Sequence, residues 1–162
     1  MTVIRKVTPD DAAAIAEIYN RYITDTTISF EISPLTARQM AARIAEISSE
    51  CPYLVAETNG EISGYCYAHP WKERAAYSAT LETTVYLRPD DAGKGIGRML
   101  MNRLIEECRV RGVHALIACI TADNAASCTF HEQLGFTRCS EFKEVGKKFG
   151  KWLDVVDYQL IL

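Results

Sequence analysis

The chain has 162 residues, of which 48% are hydrophobic, 9% aromatic and 24% charged. That balance is typical of a folded domain with a full core, and it excludes a disordered, collagen-like or coiled-coil chain. The formal net charge of −3 provides no basic excess for non-specific binding to nucleic acid or to a membrane surface. No apolar run approaches the roughly 20 residues of a membrane span. We therefore expect a single domain, residues 1–162, with no nucleic-acid or membrane partner.

The amino terminus and the cysteines predict a cytoplasmic protein. Residues 1–7 lead directly to Pro9 without the long apolar stretch of a signal peptide. The six cysteines never form a C-x-x-C pair, so we expect buried, reduced thiols instead of a disulfide framework. Cys128 and His131 lie three residues apart, but no second pair of ligands accompanies them, so no metal site is predicted.

Hydrophobic periodicity and turn residues predict a mixed α/β domain with the order β-α-α-β-β-β-α-β-α-β-β. Asn59-Gly60 is a strong hairpin signal. Thr8 and Pro9 are typical of a helix start, because threonine caps the helix and proline suits its first position. The predicted elements are a strand at 3–7, helices from Thr8 and Thr36, strands at 52–57, 62–69 and 79–88, a helix at 96–111, a strand at 114–120, a helix from Asp123 or Asn124 to Leu134, and strands at 137–145 and 152–161.

The strand at 79–88 carries a candidate catalytic carboxylate. Its residues alternate, so that Leu81, Thr83, Val85 and Leu87 point one way and Glu82 points the other. A carboxylate that projects into a cleft in mid-strand can take a proton from a bound substrate, which makes Glu82 the candidate general base. The alternative is a solvent-facing carboxylate on a half-exposed strand.

A glycine-rich loop joins that strand to the long helix, with the sequence Gly93-Lys94-Gly95-Ile96-Gly97-Arg98. Glycines let the backbone approach a ligand closely and adopt positive φ. The first free amides of a helix form an anion site, to which Lys94 and Arg98 add charge. A P-loop fits poorly, because Lys94 is followed by Gly95 and not by serine or threonine. The alternative is a tight turn that packs the helix on the sheet.

The loop is similar to the coenzyme-binding motif of the GNAT superfamily of acyl-CoA N-acyltransferases, Gln/Arg-x-x-Gly-x-Gly/Ala. Ala92 departs from this pattern, because it stands where Gln or Arg is usual. Further segments resemble the phosphinothricin and methionine sulfoximine acetyltransferases of that superfamily. Leu153 departs from the herbicide-inactivating members, which usually have His there. The matching segments are residues 22–31, 65–77, 80–87, 124–136 and 148–154.

The resemblance implies a fold and an activity. The fold has a mixed, mostly antiparallel central sheet with a splayed β-α-β cofactor site and helices on both faces. The activity is direct transfer of an acetyl group from acetyl-CoA to the α-amino group of a small amino acid or analogue, in a ternary complex, without a metal and within a homodimer. Phosphinothricin, methionine sulfoximine and methionine sulfone are the analogues implied. Two alternatives remain: the same fold acetylating a protein amino terminus or a polyamine, and a non-catalytic acyl-CoA sensor.

The resemblance also implies roles for individual residues. Glu82 is the expected base, and His131 falls where many members carry the group that protonates the leaving thiolate. The expected cofactor-binding residues are Val85, Tyr86, Leu87, Gly93, Lys94, Gly95, Ile96, Gly97, Arg98, Asn124 and Ser127. The expected substrate-binding residues are Phe30, Arg74, Tyr77 and Lys148. The alternative roles are helix capping for Asn124 and Ser127, a packed core histidine for His131, and a solvated loop charge for Arg74.

Overall fold

The structure, a computed structural model, describes residues 1–162 and has the strands and helices in the predicted order, so the mixed α/β class is confirmed. The strands are β1 (Thr2–Lys6), β2 (Tyr53–Thr58), β3 (Glu61–Pro70), β4 (Thr80–Leu87), β5 (Ala115–Thr121), β6 (Thr137–Lys148) and β7 (Lys151–Ile161). The helices are α1 (Ala12–Asp25), α2 (Ala37–Glu50), α3 (Ile96–Val110) and α4 (Ala125–Gln133).

Capping residues determine where the first two helices begin. At α2, the Thr36 hydroxyl accepts a hydrogen bond from the amide of Gln39 at 3.1 Å, and the Gln39 side chain accepts one from the Thr36 amide. The helix predicted from Thr8 begins as a short 3-10 turn, Pro9–Asp11, before α1 continues. The Thr8 amide donates to the carboxylate of Asp11 at 2.8 Å, so the Asp11 side chain stabilises the turn.

All seven strands form one sheet, in the order β1-β2-β3-β4-β5-β7-β6. Every neighbouring pair is antiparallel except β4–β5, which is parallel. The predicted hairpin between β2 and β3 turns at Asn59 and Gly60, whose φ angles of 53° and 87° are the positive values that such a two-residue turn requires.

Alternation along the central strands buries both faces of the sheet. Leu54 and Cys66 belong to the cluster with α3, whereas Val55 and Tyr65 belong to the cluster with α1 and α2. Each of the four is at most 2% exposed. Full burial of one large apolar side chain contributes about 1.5–3 kcal/mol, so these two layers account for much of the stability. The prediction of helices on both faces is confirmed, and no helix is long and apolar enough to cross a membrane.

The sheet opens at its only parallel pair. β4 and β5 are paired from Thr80 to Glu82, opposite Ala115 to Ile117. Both strands then continue without pairing to each other, while β4 remains bonded to β3 and β5 to β7. The two strands therefore diverge just after Glu82 and leave a cleft between them, which is the splayed β-α-β arrangement that was predicted.

The end of β6 differs from the sequence prediction. β6 runs to Lys148 and not to residue 145, because Gly146 and Lys148 pair with Leu153 and Lys151 of β7 beyond an irregularity in the register. Residues near the tip of a hairpin are held by this pairing even where their own pattern is polar.

The six cysteines are all free thiols, as expected. Their burial differs from the prediction, because Cys119 and Cys139 are exposed. Both belong to strands, β5 and β6, and strand alternation turns every second side chain away from the core.

Candidate active site

A cavity of about 850 Å³ occupies the opening between β4 and β5. Its walls come from both diverging strands, from α1 and the loop after it, from the glycine loop and from α4. Ten of the residues predicted for the site line this cavity: Phe30, Glu82, Val85, Tyr86, Leu87, Gly93, Gly97, Asn124, Ser127 and His131. Elements that are far apart in the chain thus bring the predicted residues together.

Glu82 is the last residue of β4 before the strands diverge, and its side chain is 28% exposed. Burial raises the pKa of this carboxyl above its ordinary value, His69 lowers it, and Asp157 raises it. The Glu82 Oε1 atom lies 3.9 Å from Nε2 of His69, its neighbour across the strand pair. A carboxylate with a raised pKa that remains open to the cleft is suited to accepting a proton near neutral pH.

Backbone amides of β4 point into the opening. The Arg88 amide donates to the Ser63 carbonyl at 2.8 Å, so this pair bonds across the β3–β4 ladder. Bonding alternates along an antiparallel ladder, so the amides of Val85 and Leu87 point away from β3 and toward the side that β5 has left. The Tyr22 hydroxyl donates to the Leu87 carbonyl at 2.7 Å on this side. The cleft therefore offers hydrogen-bond donors that no strand uses.

The glycine loop has the backbone conformation that its sequence predicts. Gly93 and Gly95 have φ angles of 78° and 81°, in the left-handed region that favours glycine. Gly95 caps α3, which begins at Ile96. The first amides of a helix have no acceptor within it, so those of α3 are available to an anion. A Cβ at Gly97 would lie 3.5 Å from Phe130, so the helix start also packs closely against α4.

The two cations of this loop lie at its rim and not in the cavity. Lys94 Nζ donates to the Asp91 carboxylate at 2.9 Å, and Arg98 donates to the Gln133 side chain at 3.0 Å. Both are exposed, and neither lines the cavity. They are placed to meet the polar end of a ligand that projects from the cleft.

The first turn of α4 forms the wall opposite β4. Asn124 caps the helix, because its Oδ1 accepts from the Ser127 amide at 3.2 Å. His131 is buried, and its Nδ1 donates to the Ser127 carbonyl at 2.8 Å. Burial lowers the pKa of His131, and the bond to Ser127 raises it. The ring also lies edge-on to Phe130 and Phe136, with centroids 5.3 and 5.2 Å away, so the neutral form is favoured.

Two acidic side chains, Glu31 and Glu82, line the cavity. Glu31 lines it near the loop that follows α1, and its Oε1 accepts from Arg43. Its Oε2 is buried and has no hydrogen-bond partner. No lysine or arginine is among the residues that line the cavity. Because the Glu82 carboxylate and the unpartnered Oε2 atom of Glu31 are acceptors at this cavity, it can take a hydrogen-bond donor such as an ammonium.

The other predicted substrate residues lie outside the cavity. Arg74 is exposed in the loop between β3 and β4, and Tyr77 packs edge-on against Trp71 with the ring centroids 5.4 Å apart. Lys148 is 6% exposed, and its Nζ donates to the Ser29 carbonyl at 2.6 Å. Burial lowers the pKa of this ammonium. Lys148 thus holds the loop that carries Phe30 and does not reach into the cleft.

Sequence reasoning missed two cavity residues with ionisable side chains that face a predicted group. The sequence predictions give His69 no role, although it lies opposite Glu82 across the ladder. Glu31 was noted only as part of a matching segment. Strand register could have indicated His69, because counting back from the turn between β3 and β4 places it near Glu82.

A parallel strand pair that opens beside a glycine-capped helix, with a carboxylate at the point of divergence, defines an acyltransferase of the GNAT type. Comparison with known families agrees, because the model described as "Acetyltransferase (GNAT) domain" matches residues 4–156. The chain therefore belongs to the GNAT acetyltransferase family and is an acyltransferase.

Characterised relatives match over nearly the full chain. A phosphinothricin N-acetyltransferase of Alcaligenes faecalis is 41% identical over 155 residues, which are 94% of this chain and 79% of the relative. An L-methionine sulfoximine/L-methionine sulfone acetyltransferase of Salmonella typhimurium is 39% identical over 160 residues, covering 98% of this chain and 94% of the relative. Both are N-acetyltransferases of small amino-acid analogues by name.

Solved structures share the fold closely. A putative acetyltransferase of Salmonella typhimurium, solved with its cofactor acetyl-CoA, superposes with a TM-score of 0.97 at 37% identity, covering 100% of this chain and 94% of the other. The fold predicted from the resemblance is therefore confirmed.

Proposed function

We propose that this enzyme transfers the acetyl group of acetyl-CoA to the α-amino group of a small amino acid or analogue of the phosphinothricin, methionine sulfoximine or methionine sulfone type. The observation that carries the proposal is the cleft itself, where the Glu82 carboxylate and the unused amides of β4 face one cavity. The names of the two relatives and the acetyl-CoA of the solved neighbour support the choice of donor and acceptor.

The glycine loop is the proposed site for the pyrophosphate of acetyl-CoA. Gly93 and Gly95 bring the backbone to the start of α3, where free amides and the helix dipole favour negative charge. Ala92 removes the side chain that the family motif usually supplies, so the amides of Ile96, Gly97 and Arg98 carry the binding. Lys94 and Arg98 contribute charge from the rim.

The amides of Val85 and Leu87 are the proposed donors to the thioester carbonyl and the pantetheine arm, with the Tyr86 backbone between them. Donors that are fixed before the reaction stabilise the developing oxyanion without reorganisation, an effect worth about 3–4 kcal/mol for one such donor. Asn124 and Ser127, across the cleft on α4, complete the channel for the arm. The capping bond between them keeps that wall rigid.

Glu82 is the proposed general base. It takes a proton from the substrate ammonium, and the neutral amine then attacks the acetyl carbonyl directly in a ternary complex. The unpaired Oε2 of Glu31 supports this assignment, because a second carboxylate facing the cavity attracts an ammonium before its deprotonation. Holding the amine beside the thioester accounts for much of the expected rate.

The proton for the leaving thiolate is proposed to come from water. This differs from the role predicted for His131, and the reason is the geometry of its ring. Nδ1 gives its hydrogen to Ser127, and Nε2 carries a proton only in the charged ring, which burial disfavours. His131 then serves to hold α4 against the cleft. We expect His131→Phe to turn over substrate at a rate close to that of wild type. A loss of about 100-fold in turnover would instead support His131 as the general acid.

The substrate side is proposed to be built from Phe30 and the β3–β4 loop. Arg74 and Tyr77 follow β3, the strand that carries His69, and the exposed guanidinium of Arg74 is the proposed partner of a substrate carboxylate. Lys148 acts indirectly, because it fixes Ser29 next to Phe30.

A homodimer is proposed as the working form. Phe142, Val145, Phe149 and Trp152 are each at least 50% exposed on the β6–β7 hairpin. A second copy covering this hairpin would bury them beside the substrate loop that the hairpin already contacts. Sedimentation at micromolar concentration measures the state directly, and a monomer would contradict this part of the proposal.

A panel of amines with acetyl-CoA tests the function. The panel contains methionine sulfone, methionine sulfoximine, phosphinothricin, the common amino acids, spermidine and a peptide with a free amino terminus, and it is followed by thiol release and product mass. The highest kcat/KM is expected for one of the three analogues. Turnover confined to spermidine or the peptide would support the alternative acceptors. Binding of acetyl-CoA without turnover on any amine would indicate a sensor.

A further inference from the structure

His69 lies beside Glu82, the proposed base, where it can receive a proton from that carboxyl group. His69 on β3 and Glu82 on β4 are directly opposite each other in the antiparallel ladder, and both line the cavity. The Nε2 atom of His69 is 3.9 Å from Oε1 of Glu82. The ladder fixes the Cα atoms of such cross-strand neighbours, so their side chains remain close to each other.

The tautomer of His69 is determined by its neighbour in the chain. Nδ1 lies 3.0 Å from the carbonyl oxygen of Pro70, and a carbonyl only accepts, so Nδ1 is the protonated nitrogen. The Nε2 lone pair is then left on the side of Glu82. A neutral ring in this tautomer can receive a proton from a carboxyl group but cannot donate one to it.

Both side chains of the pair also reach water. His69 is 33% exposed and Glu82 is 28% exposed. A proton that arrives on Nε2 can therefore pass from the exposed ring to water.

We propose that His69 accepts the proton that Glu82 removes from the substrate ammonium and passes it to solvent. This rests on the proposed function, in which Glu82 is the base. The ammonium N–H bond breaks as the O–H bond of Glu82 forms, and the neutral amine keeps the electron pair. The carboxyl proton then moves to Nε2, which restores the carboxylate and leaves an imidazolium. Water takes the proton from the imidazolium and restores the neutral ring.

The separation of 3.9 Å is longer than a hydrogen bond, for which about 2.7–3.2 Å is normal. Contacts between catalytic groups are often long without substrate and shorten in the complex. The proposal therefore requires that the two side chains approach to hydrogen-bonding distance when substrate and acetyl-CoA are bound.

The other ionisable groups around the pair do not compete for the proton. Tyr67 on β3, with its ring centroid 5.9 Å from that of His69, has a pKa raised by burial. Burial, Asp157 and Glu82 together raise the pKa of Cys119 on β5 to about 12. Asp157 on β7 acts through its charge, which raises the pKa of Glu82. Only His69 combines a position opposite Glu82 in the ladder with a ring nitrogen that is free to accept a proton on that side.

His69→Gln is the first test, because its amide can occupy the Nε2 position but cannot carry the proton. Its kcat is expected to fall about tenfold or more, with KM for acetyl-CoA unchanged. The acid limb of the kcat/KM profile should also move to higher pH, since loss of the histidine removes the influence that lowers the pKa of Glu82. His114→Gln, an exposed histidine outside the cavity, is the matched control and should behave as wild type.

Two further variants distinguish loss of the proton acceptor from a folding defect. His69→Asn keeps a donor to the Pro70 carbonyl and should show the same loss. In His69→Ala, added imidazole at constant pH should restore turnover several-fold, while wild type and His114→Ala should not respond. A normal kcat and an unmoved acid limb in both His69→Gln and His69→Asn would overturn the inference. Glu82→Gln distinguishes the two proposals. If it is inactive while the His69 variants are normal, the role of Glu82 as the base is supported and the role of His69 as the proton acceptor is refuted.

Discussion

The ring of Phe30 lies directly against Gly146. A Cβ placed on Gly146 would lie 2.8 Å from Cζ and 3.0 Å from Cδ2 of that ring, closer than carbon atoms can approach without a shift. The two residues are 116 positions apart, since Phe30 follows α1 and Gly146 is on β6. Phe30 also follows Ser29, whose carbonyl accepts from Lys148 on the same hairpin. The β6–β7 hairpin thus fixes the position of Phe30 in the wall of the cavity.

Gly146→Ala should displace Phe30 and change the amino-acid site without touching the acetyl-CoA site. KM for the amino acid is expected to rise about tenfold, which corresponds to about 1.4 kcal/mol, with KM for acetyl-CoA unchanged. Gly146 has an ordinary φ, so the effect comes from side-chain volume alone. Steady-state kinetics of Gly146→Ala, Phe30→Leu and the double variant measure the coupling. Additive effects in that cycle would show that the two residues act independently.

Gly95→Ala should weaken binding of acetyl-CoA. Its φ of 81° is a left-handed conformation that costs a residue with a Cβ about 1–2 kcal/mol, so the loop should relax away from its binding geometry. Gly60→Ala is the matched control, with a φ of 87° in the β2–β3 turn and likewise no atom near its Cβ. Both variants should lose similar stability, but only Gly95→Ala should raise the dissociation constant measured by calorimetry. An equal effect of both would show that the loop acts only through stability.

Asp11→Asn should destabilise the fold in a pH-dependent way. Asp11 is 6% exposed and accepts two bonds of 2.8 Å from Arg5, which lowers its pKa. A carboxyl with a lowered pKa in the folded state stabilises it above the ordinary carboxyl range and loses that contribution as pH falls through the lowered value. The cost at pH 7 is expected to be about 1–3 kcal/mol, reduced because Arg5 is one-third exposed.

Urea unfolding at pH 7 and in acid measures that dependence. The difference between wild type and Asp11→Asn should shrink as the pH is lowered. Glu17→Gln removes an exposed pair with Arg21 at 3.5 Å and should cost no more than about 0.5 kcal/mol at any pH. A constant difference at all pH values would mean that Asp11 acts through shape and not through charge.

Local sequence predicted the features that depend on neighbouring residues. Asn59-Gly60 requires a turn, Gly95 requires a positive φ before a helix, and the alternation around Glu82 places that carboxylate on one face of a strand. Each of these follows from backbone geometry within a few residues.

Features that depend on distant pairing were not predictable in the same way. The register that brings His69 opposite Glu82 is fixed by the β3–β4 ladder as a whole. The sequence predicts a substrate-binding role for Lys148, yet its side chain is buried and its ammonium donates to the carbonyl of Ser29, 119 residues away. Lys148 and Arg74 likewise lie outside the cavity because of tertiary packing, which no local sequence pattern indicates.

The central claim is that the Glu82 carboxylate deprotonates the amine in a cleft that already holds acetyl-CoA. The most direct measurement is kcat/KM against pH for wild type, Glu82→Gln and the exposed control Glu73→Gln, with acetyl-CoA affinity determined by calorimetry. We expect Glu82→Gln to bind acetyl-CoA as wild type does and to lose about 100-fold to 10,000-fold in turnover, without the acid limb. Turnover of Glu82→Gln near that of wild type across the pH range would contradict the account.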